Sequence, residues 1–146
     1  MYSSEIMEFV ISSSEQCSLK EVPVCAVIAI DSDVVVFANN EVEKNNRPWL
    51  HAEFIAVQKS CEILGVKYLD KASLYVNLEP CAFCAAILEK VRIQNIFFGA
   101  YDIKYGAIDH NARIFDHSLV KPNIVGGIQE DRCSQIMRKF FKNLRD

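Results

Sequence analysis

Four side chains in two short segments have the residue types that a catalytic zinc site requires. His51 and Glu53 stand two positions apart, and Cys81 and Cys84 form a Cys-x-x-Cys pair directly after Pro80. A catalytic zinc ion takes three nitrogen or sulfur ligands and keeps a fourth position for water, whose pKa it lowers toward about 7. His51, Cys81 and Cys84 supply three such ligands, and Glu53 is a carboxylate that can accept the proton of that water.

The spacing of the two cysteines supports a shared ion. Residues three apart lie on one face of a helix, and Pro80 is tolerated in a first helical turn. We therefore predict that Cys81 and Cys84 both lie in the first turn of a helix, where free N–H groups and the helix dipole favour the metal-binding thiolate.

Two other readings of this pattern remain open. A Cys-x-x-Cys pair also serves in thiol redox chemistry, although such a pair does not need the neighbouring His51 and Glu53. A closed structural zinc site would take a fourth ligand from His110, His117 or a distant cysteine, and it would have no use for a carboxylate at position 53.

Both segments begin predicted helices that are separated by strands. Residues 52–64 have helical composition and stop at Gly65, a common helix C-terminal signal, and residues 81–91 form the second helix. Continuous or alternating apolar runs predict strands at residues 24–30, 34–38, 73–78, 94–100 and 124–125. Helices that alternate with four or five short strands indicate a layered α/β domain.

The ends of the chain add two further helices. Ser3 or Ser4 can cap a helix that runs to about Gln16. Residues 129–144 form a closing helix with an apolar side, and the five basic residues from Arg132 to Arg145 are a candidate for binding phosphates. We expect residues 39–50 to be a loop that leads to His51, and residues 101–122 to be loop with short helical pieces.

Composition limits the class of protein. The chain has 146 residues, 51% of them hydrophobic, and a net charge of −3, which is typical of one globular domain over residues 1–146 and unlike a protein that coats nucleic acid. Its first residues do not resemble a secretory signal, and its longest apolar stretch is too short to span a bilayer. We therefore expect no membrane association and a location in the cytoplasm. There, Cys17, Cys25, Cys61 and Cys133 would stay reduced as small core residues or idle thiols.

The spaced pattern His-x-Glu followed by Pro-Cys-x-x-Cys is the signature of zinc deaminases. The chain also resembles, over nearly all of its length, the bacterial tRNA-specific adenosine deaminases. The similarity lies in residues 21–24, 78–81 and 98–107, and more weakly in residues 126–128 and the Phe140-Phe141 pair. This resemblance implies a three-layer α/β/α sandwich of the cytidine deaminase-like fold, with a mixed sheet of about five strands, as a homodimer.

The resemblance also implies roles for individual residues. His51, Cys81 and Cys84 correspond to the ligands of one Zn²⁺ per chain, and Glu53 corresponds to the proton shuttle. Asn40 matches an asparagine that hydrogen-bonds the base, and Asp102 matches a residue near the RNA backbone.

The implied reaction is the hydrolytic deamination of adenosine to inosine at the wobble position of a tRNA anticodon stem-loop, with release of ammonia. The adenine would be flipped out of its stack, which costs less in a single-stranded loop than in a duplex. One alternative is a deaminase of the same fold that acts on a free base, nucleoside or nucleotide, such as cytosine, guanine or deoxycytidylate. A second alternative is a zinc-stabilised RNA-binding protein without catalysis.

The family often has glycine at Cys25 and Gly-Ala at Ala86-Ile87, and four further positions near the motifs also depart from it. Trp49 and Leu50 stand where the family usually has small residues, Tyr101 stands in place of arginine, and Tyr105 in place of threonine. We expect these changes to affect the choice of substrate rather than the zinc chemistry, and Trp49 and Tyr105 could form an aromatic wall that stacks a nucleotide.

Overall fold

A mixed sheet of five strands lies at the centre of the computed structural model, which describes residues 1–145. The strands follow the order β2-β1-β3-β4-β5 across the sheet. Their bounds are β1 Cys25–Ile30, β2 Asp33–Asn39, β3 Ala72–Leu78, β4 Asn95–Ala100 and β5 Asn123–Val125. β1 pairs antiparallel with both β2 and β3, whereas β3, β4 and β5 run parallel. The three parallel strands therefore end at the same edge of the sheet.

Helices cover both faces of this sheet. Helix α1 (Ser4–Glu15) and helix α5 (Glu130–Arg145) pack on one face, over side chains that include Val27, Tyr75 and Phe97. Helix α3 (Ala52–Leu64) and helix α4 (Ala82–Lys90) pack on the other face, over side chains that include Ile28 and Leu74. The three-layer α/β/α arrangement predicted from the resemblance is confirmed.

The central strands are largely apolar, as expected for strands that are covered on both faces. β1, β3 and β4 are buried along nearly their whole length, whereas the edge strand β2 alternates between buried and exposed positions. Helix α3 buries the side that carries Ala52, Ala56 and Ser60, whereas Ile63 and Leu64 at its end are exposed. Gly65 ends α3 in the left-handed conformation at φ 65°, as its position predicts.

Three local details differ from the sequence expectations. The loop at residues 39–50 contains a one-turn helix, α2 (Val42–Asn45), which is too short and polar to give a periodic signal. Cys81 is the N-cap of α4, so Pro80 precedes the helix instead of occupying its first turn. In α5, Phe140 is buried, but Phe141 and Leu144 are exposed, so the predicted apolar side is only partly used in the core.

The irregular segment after β4 matches its prediction. It contains a 3₁₀ helix at Ile114–His117 and otherwise follows loops and turns until β5. Among residues 1–145, none of the helices is both long and apolar enough to cross a membrane.

Candidate active site

The two cysteines lie where β3 passes into α4. The Glu79 N–H donates to the Ala100 carbonyl at 2.8 Å, which continues the parallel pairing of β3 and β4 beyond Leu78. Cys81 then forms an isolated bridge with Gly106 and caps α4, and Cys84 lies in the first turn of that helix. The position of Cys84, three residues after the cap, brings both thiols to the same end of the helix.

His51 and Glu53 lie at the start of α3, beside the cysteines. His51 is the N-cap residue, but its side chain makes no capping hydrogen bond, which leaves the imidazole free to face Cys81 and Cys84. The cap comes from another residue: Asn40 Oδ1 accepts the Ala52 N–H at 2.8 Å. Asn40 is itself anchored, since its backbone N–H donates to the Val24 carbonyl at 3.2 Å. The end of the β1–β2 hairpin thus fixes the start of the helix that carries His51.

The geometry of His51, Cys81 and Cys84 fits one tetrahedral zinc ion. His51 Nδ1 is 3.5 Å from Cys81 Sγ and 3.5 Å from Cys84 Sγ, and the three ligand atoms all lie within 4.8 Å of one another. Bond lengths of about 2.3 Å to sulfur and about 2.0 Å to nitrogen place such atoms roughly 3.5 Å apart in a tetrahedron. These three side chains are therefore positioned to bind a metal ion.

The ionisation of the two thiols also suits a cation. A hydrogen bond from the Cys84 thiol outweighs burial and, together with His51, lowers the pKa of Cys81 to about 4. The same contact and burial raise the pKa of Cys84, and the hydrogen bond to Cys81 raises the pKa of His51. Two sulfurs this close cannot both carry negative charge without cost, and a divalent cation between them removes that conflict.

Glu53 is the other ionisable group at this point. It is only 5% exposed, and burial raises the pKa of its carboxyl from 4.5 to about 7. A carboxyl group whose pKa lies near neutrality can both accept and return a proton at that pH. The environment of Glu53 therefore suits a proton shuttle.

A cavity of about 1140 Å³ opens over these groups. His51, Glu53 and Cys81 line its inner part, together with Asn40. The remaining lining comes from the segment before β1, the loop before α3, the end of β3, the start of α4, the loop after β4 and helix α5; it includes Glu79, Phe83, Asp102, Lys104, Tyr105, Met137 and Phe141. The cavity has room for a nucleoside and for parts of its neighbours, because ligand pockets for drug-sized molecules are about 300–1,000 Å³.

The loop that follows β4 wraps around one buried carboxylate. Glu79 Oε1 accepts the Asp102 N–H at 3.0 Å and lies 2.9 Å from His110 Nδ1. Glu79 Oε2 accepts the N–H groups of Ile108 at 3.1 Å and Asp109 at 2.9 Å. Burial works to raise the pKa of Glu79, but these hydrogen bonds outweigh it and hold the pKa below its ordinary value.

The predicted site residues all lie at this cavity. His51, Glu53 and Cys81 line it beside Asn40, Cys84 lies behind them, and Asp102 lies at its outer wall. Asp102 Oδ1 accepts the N–H groups of Lys104 and Tyr105, each at 3.1 Å. The roles predicted for these residues in binding the base and the RNA backbone stay predictions.

Other candidates from the sequence lie elsewhere. His110 contacts Glu79 and, like His117, is not part of the group that meets at His51. Arg132, one of the basic residues of α5, is paired with Glu8 at 2.8 Å and Glu15 at 2.7 Å on α1, so it holds two helices together.

The four residues that depart from the family pattern have different surroundings in the structure. Tyr105 lines the cavity and is 64% exposed. Tyr101 packs inward, edge-to-face against Phe98 and His110. Leu50 packs against the core, and Trp49, although exposed, lies outside the cavity lining. Tyr105 therefore supplies an aromatic side chain at the cavity wall, whereas Trp49 does not line the cavity, and the stacking role expected for the two residues stays a prediction.

Sequence reasoning missed three residues of the site. Phe141 and Met137 line the cavity, although the periodicity of α5 assigned both to its core-facing side. Glu79 belongs to the motif at residues 78–81, but no local sequence pattern predicts that residues 102–110 fold around it.

The mixed sheet and the His-Cys-Cys group beside a buried glutamate define the class of the protein, a deaminase of the cytidine deaminase-like α/β fold. A family model described as MafB19-like deaminase matches residues 3–145. The chain belongs to this deaminase family and is a hydrolytic enzyme.

Individual relatives indicate which kind of deaminase this chain resembles. The tRNA-specific adenosine deaminase of Rickettsia felis is 39% identical over 129 residues, which cover 86% of this chain and 90% of the relative. The Bacillus subtilis protein of the same name is 34% identical and is covered to 79%. A solved structure from studies of A-to-I editing by tRNA:A34 deaminases aligns with a TM-score of 0.86 and 32% identity, covering 92% of this chain and 99% of that one.

Proposed function

We propose that this enzyme converts adenosine to inosine at the wobble position of a tRNA anticodon, releasing ammonia. One observation carries the proposal: a group of metal ligands and a buried Glu53 lie together at the inner end of a cavity large enough for a nucleotide and its neighbours. The relatives named above support the choice of adenosine in tRNA over a free base.

We further propose that the metal is one Zn²⁺ per chain, held by His51, Cys81 and Cys84. The nearly tetrahedral spacing and the nitrogen and sulfur donors favour zinc over a hard cation such as Mg²⁺, which prefers oxygen ligands. When bound there, the metal supplies an activated water at neutral pH.

Glu53 handles the protons of the reaction. It takes a proton from the water that adds to C6 and passes it to N1 of the base, and it then moves the proton of the new C6 hydroxyl to the departing amino group. The C6–N bond breaks as the carbonyl of inosine forms, so adenosine and water give inosine and ammonia. Its raised pKa, near 7, suits both steps.

The cavity walls suit a base that has left its stack. Phe83, Tyr105 and Phe141 offer aromatic faces, and Lys104 offers a positive charge to a phosphate. Asn40 Oδ1 is already engaged by the Ala52 N–H, so the group that Asn40 offers to a base is its amide NH₂. Asp102 lies at the outer wall, where the flanking backbone would pass.

Replacing Glu53 tests the assignment of the proton shuttle. Glu53→Gln keeps the side chain's size but cannot accept and return a proton, so we expect zinc content near one per chain and a loss of turnover of at least about 100-fold. Glu62→Gln, an exposed position on the same helix, is the matched control. Full activity of the Glu53 variant would refute the assigned role.

The substrate is tested by comparison. Purified protein is incubated separately with an anticodon stem-loop that contains adenosine and with free adenosine, cytosine, guanine and deoxycytidylate. Inosine formed in the stem-loop is the expected product. Ammonia released only from the free compounds would favour a nucleobase or nucleotide deaminase instead.

Two further parts of the proposal concern the oligomeric state of the enzyme and its location in the cell. We expect a homodimer: Phe83 is 44% exposed and packs against Phe54 with the ring centroids 5.6 Å apart and the planes tilted by 46°, which leaves an aromatic surface at the start of α4 for a second copy to cover. Light scattering of the purified protein measures the assembly. We also expect the enzyme to act in the cytoplasm, where it would meet tRNA.

A further inference from the structure

Glu79 makes more hydrogen bonds than its neighbours in the site. Its side chain is fully buried, and it lies between β3 and the zinc-ligand residue Cys81. Both carboxylate oxygens are occupied: one by Asp102 and His110, the other by Ile108 and Asp109. A carboxylate offers about four lone-pair sites, so this one is saturated.

The contacts of Glu79 determine the path of the loop at residues 102–110. Three of its four partners in this loop donate through their backbone N–H groups, which point inward to the carboxylate. Gly106 lies against it so closely that an added Cβ would stand 2.5 Å from Glu79 Cδ. The Ala107 N–H also donates to the Pro80 carbonyl at 2.9 Å. Glu79 and Pro80 therefore act together as the core of this loop.

The same loop carries the polar wall of the cavity. Once Glu79 fixes the Asp102 N–H, the Asp102 carboxylate accepts the N–H groups of Lys104 and Tyr105. Lys104 and Tyr105 line the cavity and are exposed to solvent. Two consecutive sets of hydrogen bonds thus connect the buried carboxylate to the residues that can contact the substrate.

Glu79 is poorly placed to take part in proton transfer itself. Its oxygens are occupied by donors from the loop, whereas Glu53 occupies the inner end of the cavity beside Cys84. Its effect on the reaction must therefore pass through the loop that it organises.

We propose that Glu79 is a positioning residue for substrate recognition: by holding residues 102–110, it places Tyr105 and Lys104 against the nucleotides that flank the target base. The inference rests on the proposed function, because a free nucleoside has no flanking nucleotides. Glu79 then sets the preference for a polynucleotide without touching the reacting atoms.

The central test is Glu79→Gln, which keeps the shape but replaces one acceptor oxygen by an NH₂ group that faces N–H donors. We expect zinc content to stay near one per chain and the KM for the anticodon stem-loop to rise roughly 10-fold or more, since hydrogen bonds to a charged group are lost. The expected change in kcat is less than about threefold. Glu89→Gln, in which a carboxylate that accepts the Ser118 hydroxyl is altered on the far side of α4, is the control.

A double-mutant cycle separates positioning from general damage to the fold. Tyr105 is 64% exposed, so Tyr105→Ala removes a contact surface without disturbing the core. If Glu79 acts through Tyr105, the two changes raise KM less than additively when combined. Additive effects, or a loss of kcat with KM unchanged, would overturn the proposal.

Hydrogen exchange provides a readout that does not depend on activity. The amides of Asp102, Ile108 and Asp109 should exchange faster in Glu79→Gln, while the β3 and β4 amides stay protected. If that variant fails to fold, His110→Asn removes one partner of the carboxylate from a partly exposed position and should give a smaller rise in KM of the same kind.

The outcomes distinguish the two proposals. Wild-type protein without activity on the stem-loop would refute the proposed function and the role of Glu79 in recognising it. Wild-type activity with an unchanged KM and unchanged amide exchange in Glu79→Gln would refute the role of Glu79 alone.

Discussion

Asn40 supports the helix that carries His51, and removing it should have a cost that can be measured. Its Oδ1 accepts the Ala52 N–H at 2.8 Å, and both residues are buried. His51, the N-cap residue, makes no capping hydrogen bond of its own. Asn40→Ala therefore leaves the first turn of α3 without a side-chain cap and leaves a buried N–H group without its partner.

The size of the effect follows from these two losses. Losing an N-cap acceptor costs about 1–2 kcal/mol. Leaving a buried N–H group unpaired costs a similar amount of unfolding free energy, about 1–3 kcal/mol. The two figures describe the loss of the same contact, so they do not add. For a domain of this length, about 1–2 kcal/mol of lost unfolding free energy lowers Tm by roughly 2–8 °C.

Asn40→Asp separates stability from substrate binding. Aspartate keeps an acceptor for the Ala52 N–H, and its charge is favourable at a helix N-terminus, so we expect most of the stability to remain. It lacks the amide NH₂ that we assign to the base, so the KM for the stem-loop should rise in both variants. Thermal unfolding of zinc-loaded protein gives Tm, and steady-state deamination gives KM.

Asn45→Ala is the matched control, because the Asn45 side chain hydrogen-bonds only Glu41, next to the short helix α2, and lies in the same segment. It should leave Tm within about 1–2 °C of the wild type. Wild-type Tm in Asn40→Ala, or equal losses in the Ala and Asp variants, would show that the Ala52 contact does not stabilise α3.

Three further predictions concern the metal, the packing and the pH dependence of stability. Removing the metal with a chelator should abolish deamination and lower Tm, because a ligand bound to the folded state stabilises it, and added Zn²⁺ should restore both; a chelated enzyme with full activity would exclude a metal-dependent reaction. Gly126→Ala places a Cβ 2.2 Å from the Phe98 ring, so urea unfolding should show a loss of about 1–3 kcal/mol unless the ring can move aside. The hydrogen bond from Arg132 lowers the pKa of Glu8 from 4.5 to about 2, so this contact stabilises the fold above pH 4.5 and its contribution is lost as pH falls toward 2. The difference in urea midpoint between wild type and Arg132→Gln should therefore shrink between pH 7 and pH 3, and a constant difference would contradict the assigned cause.

The local patterns in the sequence predicted most of the elements, because each pattern reflects burial. The continuous apolar run before Asp31 predicts a strand, and β1 is buried along nearly its whole length, as such a run requires. Gly65 and the composition before it predicted the end of α3 at the correct residue. The meeting of His51, Cys81 and Cys84 could also be predicted, since the chemistry of zinc limits which side chains can serve, whereas their role as zinc ligands stays a prediction.

Long-range pairing left no comparable trace in the sequence. The order β2-β1-β3-β4-β5 depends on which strand edges meet, and apolar periodicity does not record this. The loop wraps around Glu79 through backbone N–H groups, which every residue but proline carries. No residue type in the sequence therefore predicts this contact. Trp49 stands two residues before His51 but does not line the cavity, because sequence proximity does not decide on which side of the chain the indole lies.

The position of Glu79 has a consequence for how substrate choice can change in this enzyme. Glu79 and Cys81 lie on either side of Pro80. The candidate metal ligands and the loop that lines the cavity are therefore both held at the same end of β3. The loop is held by backbone N–H groups, which survive when the side chains between them change. Tyr105 can therefore replace a smaller residue at the cavity wall without disturbing the ligands, whereas Tyr101 is confined by Phe98. Of the four departures, Tyr105 is the one whose reversal to threonine should alter KM for RNA while leaving zinc content unchanged.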